Sequence, residues 1–68
     1  VRIKLQNLRQ SQGYTQTSFA EVIGISRNHY SQIESGDKSP SLKVALKIKQ
    51  TLGYQGDDIF EDRAYGHR

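Results

Sequence analysis

An all-α domain of five short helices is the fold this sequence predicts, on three observations. Gly13, Gly24, Gly36, Pro40, Gly53 and Gly56 cut the chain into segments of about ten residues. Hairpin-forming turn dipeptides and β-branched alternation are scarce between them, whereas apolar residues recur at three- and four-residue intervals, the spacing of one helix face. The third observation is size. With 68 residues and no Cys, one small domain buries about 60% of the surface its unfolded chain exposes and has no disulfide to brace it.

The first segment runs from about Arg2 to Gln12, with Val1, Leu5 and Leu8 in helical register and Gly13 as its stop. The second follows Thr15, whose hydroxyl suits an N-cap; Phe19, Ala20 and Ile23 form its apolar stripe, and Gly24 ends it. Ser26 caps the third, which runs to Gly36 with Tyr30 and Ile33 facing inward. The fourth begins at Pro40-Ser41 and ends at Gly53. Leu42, Ala45, Leu46 and Leu52 share one side of it while Val44 and Ile48 cover the other, which predicts a central helix buried on both sides. The fifth is a short turn over Asp57–Phe60, with acids at the end where a helix dipole favours them. Residues 1–61 thus make the domain, and 62–68 a short polar tail.

Charge divides unevenly along the chain. Residues 1–50 carry eight Lys/Arg against three Asp/Glu, and residues 51–68 carry two against four, within a net charge of +3. A basic body with an acidic end suits an anionic partner over part of the surface. No apolar run approaches the length of a membrane span, and no signal-peptide pattern is present. His29 and His67 lie far apart, without metal-ligand spacing. The Asp57, Asp58, Glu61, Asp62 cluster reads as helix-start charge and a solvated tail rather than a metal site or an acid–base pair. With no nucleophile–base arrangement and no Gly-rich phosphate loop, the expectation is a chain that is not an enzyme and needs no cofactor or metal.

Function concentrates in Thr15–Gly36, TQTSFAEVIGISRNHYSQIESG. Two helices of under ten residues are joined by Gly24-Ile25-Ser26. Glycine turns the corner with a positive φ, Ile25 plugs it, and Ser26 caps the next helix. That is the recipe for a helix-turn-helix. With Tyr30 and Ile33 inward, Arg27, Asn28, Ser31, Gln32 and Ser35 fall on the outward side. Arg can read guanine edges with its planar fork, and Asn or Gln can read adenine in the same two-bonded way. A merely solvated helix more often shows Glu and Lys.

The run LRQSQGYTQTSFAEVIGISRNHYSQIESGDKSPSLKVALKIKQTLG, followed by DDIF, resembles the Cro-type, or XRE-type (xenobiotic response element), helix-turn-helix family of bacterial and phage transcriptional regulators. The resemblance spans about Leu5–Phe60 and rests on Gly-x-Thr-Gln, Ala-x-x-x-Gly-Ile-Ser, Ile-Glu-x-Gly and Pro-Ser-Leu in combination. It implies a five-helix, lambda-repressor-like domain that binds double-stranded DNA in the major groove. Such a protein would be a cytoplasmic, nucleoid-associated repressor, acting as a homodimer on a pseudo-palindromic operator with half-sites about one helical turn apart. Arg27, Asn28, Gln32 and Ser31 match base-contacting positions. Gln16, Thr17, Ser26, Ser35, Lys38 and Ser39 match phosphate contacts, the first two at a helix N-terminus where free amides favour anions. Arg9 and Glu34 match a buried salt bridge between the first and third helices. Dimer contacts are expected from Leu52, Tyr54, Ile59, Phe60 and Tyr65. The same scaffold can also serve as an antitoxin-like protein-interaction module.

Several positions depart from the family pattern. Ser18 stands where Glu usually completes a capping box, so the reciprocal cap is expected to be missing. Asp37 stands where a cation is common. Lys49 stands where Ala is frequent and must snorkel or find a partner. Tyr30 replaces an aliphatic, its hydroxyl expected to reach water or backbone. His29 lies beside the outward face, with two readings, DNA contact or shielding of the core edge, of which shielding is the expectation. Tyr14 and Tyr54 are expected to pack at helix junctions.

Overall fold

A computed structural model describes residues 1–60. They form α1 (Ile3–Ser11), α2 (Gln16–Ile23), α3 (Arg27–Ser35) and α4 (Leu42–Leu52), followed by a single 3-10 turn, Asp58–Phe60. The expected fifth helix is therefore only this turn, closed by the bond from the Phe60 N–H to the Asp57 carbonyl three residues back, the 3-10 rather than the α pattern. Helix α2 packs on α3 and α4, while α1 packs on α3 and the 3-10 turn.

Local chemistry sets the helix ends. Thr15, Ser26 and Ser41 each accept a hydrogen bond from the backbone N–H three residues on, satisfying one orphan donor per helix. At the α2 start the reciprocal bond is present as well: the Thr15 N–H donates to the Ser18 hydroxyl at 3.0 Å. The capping box expected to be missing is thus made by serine, whose short hydroxyl reaches the amide that Glu would otherwise reach. Gly24 closes α2 with φ +90°. No atom lies within 4 Å of where a Cβ would sit there, so it is the backbone angle, not space, that calls for glycine.

Leu5, Phe19, Ala20, Ile23, Tyr30, Ile33, Ile48, Leu52 and Ile59 form the core. The Phe19 ring stands between Tyr14, at a centroid distance of 5.0 Å, and Tyr30, at 5.2 Å and edge-on. Leu8, Ile25, Val44, Tyr54 and Phe60 pack around this centre. Two expectations fail. Val1 does not extend the α1 face but is 62% exposed, because the helix begins only at Ile3. On α4 the covered side is that of Ile48 and Leu52, whereas Leu42 is 78% and Leu46 46% exposed. Helix α4 is thus a one-sided surface helix rather than a central one.

Two ion pairs tie the segment at the 3-10 turn to α1 and α4. Lys49 finds its partner in Asp57, at 2.6 Å. Asp58 accepts from Lys4 and from the Tyr54 hydroxyl, and these bonds, Lys4 first, hold its carboxyl below the ordinary range. The acids of the turn are thus spent on α1, α4 and Tyr54 rather than on a helix dipole. Among the described residues no group of three or more His, Cys, Asp and Glu could hold a metal, and no helix is long and apolar enough to cross a membrane.

Candidate nucleic-acid interface

Helix α3 is held by a buried polar cluster. The Arg9 guanidinium donates to both Glu34 oxygens, from Nε at 2.8 Å and from Nη2 at 3.2 Å, and its Nη1 donates to the Tyr14 carbonyl at 2.7 Å. Glu34 also accepts from the Tyr30 hydroxyl at 2.6 Å and from the Gln16 side-chain amide at 2.9 Å. Tyr30 is core, but its hydroxyl meets this carboxylate rather than water or backbone. Burial alone pushes the Glu34 carboxyl up; the bonds from Arg9, Tyr30 and Gln16 outweigh it and leave the group below its ordinary value. Arg9 is raised by its bond to Glu34, against the opposing effect of burial. Burial, then the Glu34 carboxylate, push the Tyr30 hydroxyl well above its usual range. The cluster therefore carries one fixed ion pair, and no buried side-chain nitrogen or oxygen among the described residues lacks a partner.

Gln16 is accordingly not a free side chain. Glu34 can only accept, so it fixes the Gln16 amide nitrogen inward and leaves that nitrogen's second N–H for another acceptor. The main-chain amides of Gln16 and Thr17 open α2 and have no carbonyl of their own helix to bond. Gln16, Thr17 and Arg27, together with Arg9, Gln10, Gly13, Tyr14 and Thr15, line one open groove of about 560 Å³. The N-termini of α2 and α3 thus face a common concavity.

On α3, Arg27, Asn28 and Ser35 are exposed, while Ser31 and Gln32 are half-buried. The side chains of Arg27, Asn28, Ser31 and Gln32 make no hydrogen bond or ion pair among the described residues. Ser26 is occupied as an acceptor from the His29 N–H at 3.0 Å, with its hydroxyl proton still to place. Ser35 is more committed: its hydroxyl donates to the Gln32 carbonyl at 3.0 Å and accepts from the Asp37 N–H at 3.3 Å. Thr17, Lys38 and Ser39 are exposed.

The expected dimer residues divide. Leu52 and Ile59 are core, 5% and 0% exposed, and cannot present a surface; an apolar residue in the sequence does not say whether a neighbour covers it. Tyr54 and Phe60 are half-buried against the core, and Tyr65 lies outside the described residues.

One site residue escaped sequence reasoning. Arg2 is 3% exposed and bonds the carbonyls of Ile33, Lys38 and Phe60. Nothing local marks it, since a charged residue at a helix start reads as solvated. The cations also sort themselves. Arg2 and Arg9 are buried, and Lys4 and Lys49 bind aspartates. Arg27, Lys38, Lys43 and Lys47 have no ion-pair partner among the described residues.

Comparison with known proteins agrees with this geometry. A helix-turn-helix family model matches residues 5–59. The chain is 39% identical over 57 residues to the uncharacterized HTH-type transcriptional regulator YgzD of Bacillus subtilis, covering 84% of this chain and 86% of that protein. It is 40% identical over 57 residues to the uncharacterized HTH-type transcriptional regulator MJ0272 of Methanocaldococcus jannaschii, with the same coverage. A second Bacillus subtilis protein, the uncharacterized HTH-type transcriptional regulator YqaF, is 38% identical over 58 residues, covering 85% of this chain and 76% of its own length. No solved structure matches significantly. The chain belongs to the helix-turn-helix family, as an XRE-type DNA-binding transcriptional regulator.

Proposed function

We propose that this chain represses transcription by inserting α3 into the major groove of a specific operator. One observation carries the reading. Among the described residues, the fold satisfies its buried polar side chains yet leaves Arg27, Asn28, Ser31 and Gln32 without hydrogen-bond or ion-pair partners along one side of a short helix. Those are the groups that read base edges. Gln16, Thr17, Ser26, Lys38 and Ser39, with Ser35 at the helix end, set register on phosphates. The α2 amides and Gln16 supply donors without charge, so affinity rests only partly on cations.

The length of α3 argues for two copies. Nine residues span about 13 Å, roughly four base pairs at 3.4 Å each, too few to mark a unique site. A homodimer on an inverted repeat doubles the sequence read. Leu42 and Leu46, both exposed on α4, offer such self-association an apolar face that the buried Leu52 and Ile59 cannot. The same two leucines would serve the antitoxin-like reading, in which a partner protein covers them; a partner co-purifying in fixed ratio would favour it.

Selection of binding sites from random duplex DNA tests the proposal. The expected product is an inverted repeat with half-sites about one helical turn apart. A pool that never enriches would sink the DNA reading, and enrichment of an asymmetric site would sink the dimer.

A further inference from the structure

We propose that Arg2 is a positioning residue for the Gly36–Ser39 segment, and that it acts on DNA affinity through Lys38; this rests on the DNA-binding reading above. Arg2 sits at the C-terminal end of α3. Its main-chain N–H donates to the Glu34 carbonyl at 2.8 Å. Its Nη1 donates to the Ile33 carbonyl and, at 2.9 Å, to the Lys38 carbonyl, while its Nε donates to the Phe60 carbonyl at 2.8 Å. A cation belongs here, because the last carbonyls of a helix carry its partial negative charge.

The bond to Lys38 matters most. The Lys38 N–H is already held by the Gln32 carbonyl at 3.1 Å. Arg2 holds its carbonyl, so the main chain of Lys38 is gripped from both sides although it lies between helices. Its side chain is exposed and has no ion-pair partner among the described residues. Fixing the main chain below a flexible side chain lowers the entropy lost when its ammonium meets a phosphate. A lysine at position 2 cannot replace the clamp, since it lacks the planar fork that points donors at separate carbonyls.

The test uses the full chain with Arg2→Lys and Arg2→Met. Hydrogen exchange reads the clamp without DNA: the Lys38 amide should exchange at least about tenfold faster, while the Gly24 amide, bonded to the Ala20 carbonyl at 2.8 Å, keeps its rate. Both amides accelerating together would overturn the proposal, since Arg2 would then only support the whole fold. On DNA, both variants should bind selected and scrambled duplexes more weakly by the same factor, with the log–log salt dependence shallower by about one. Lys38→Ala should flatten it equally, and the double variant should lose nothing more. An unchanged salt slope, or an altered base preference, would overturn the role. If the unaltered chain binds no duplex, the DNA reading itself fails and takes this role with it. Weakened binding confined to the variants separates the two cases.

Discussion

Helices α3 and α4 begin and end alike but are held by different forces. Each has a serine N-cap and a glycine in the left-handed conformation after its last turn. Inside, α3 buries Tyr30, Ile33 and Glu34, and the carboxylate binds α1 and the start of α2. Helix α4 buries Ile48 and Leu52; among the described residues its side-chain bonds beyond its own cap join Lys49 to Asp57 and the Leu52 carbonyl to Gln12, at its C-terminal end. Apolar contacts hold a helix in place but tolerate small rotations, because dispersion has little direction. A two-bonded guanidinium–carboxylate pair has a required angle as well as a distance. Under the proposed function, the helix that would present side chains to base edges at hydrogen-bond precision is the one pinned by directional bonds. The helix without that task leaves Leu42, Lys43, Leu46 and Lys47 toward solvent or the shallow groove beside α2.

The largest expected effect breaks this contrast directly. Glu34→Ala strands the Arg9 guanidinium in the core and should cost about 3–5 kcal/mol in denaturant unfolding. Acid should show the same group at work. The Glu34 carboxyl is lowered in the folded state, so its stabilisation is present above the unfolded value of about 4.3 and is lost as pH falls through the folded value. A Glu34→Gln chain should therefore show a flatter acid limb in its unfolding curve than the unaltered chain; matching limbs would remove Glu34 from the account.

Arg27→Ala comes next. It should lower affinity by about 1–3 kcal/mol and relax preference at one base position, with stability unchanged. Lys47→Ala on α4 should leave base preference alone. An equal loss on every duplex after Arg27→Ala would make Arg27 a phosphate contact and the two helices more alike than the comparison holds. Ser26→Ala and Ser41→Ala should each cost about 1 kcal/mol of stability; a clear inequality would show that the shared ends are not equivalent. The smallest effect is at Lys49, whose partner Asp57 is 83% exposed. Lys49→Ala should change thermal unfolding by less than about 1 kcal/mol.

How much of this was legible in the chain follows the range of each interaction. Thr15, Ser26 and Ser41 could be read as caps because a cap depends on the next three residues. Ser18 shows the edge of that rule: the pattern asks for Glu, yet a serine hydroxyl at the same register makes the reciprocal bond. Leu42 and Leu46 show where periodicity stops, since it groups residues on a face without saying whether a neighbour covers it. Leu52 and Ile59 failed as surface residues for the same reason. At the candidate interface, the polar side of α3 was visible once Tyr30 and Ile33 were placed inward, but not that Ser31 and Gln32 would be half-buried there. The bond of Gln16 to Glu34 was not, because it joins residues on two helices.

By itself the sequence determined the capped starts and glycine stops of α2, α3 and α4, and that α3 would carry neutral hydrogen-bonding groups opposite its apolar side. Both follow from contacts within one or two helical turns. Only the tertiary structure decided which side of α4 is covered and which charges are spent. Of eight Lys and Arg in residues 1–50, four are buried or paired with aspartate. Arg2 is buried where carbonyls from α3, the Lys38 loop and the 3-10 turn converge on it. Burial and pairing are properties of surfaces that meet, and residues far apart in the chain meet only once it has folded.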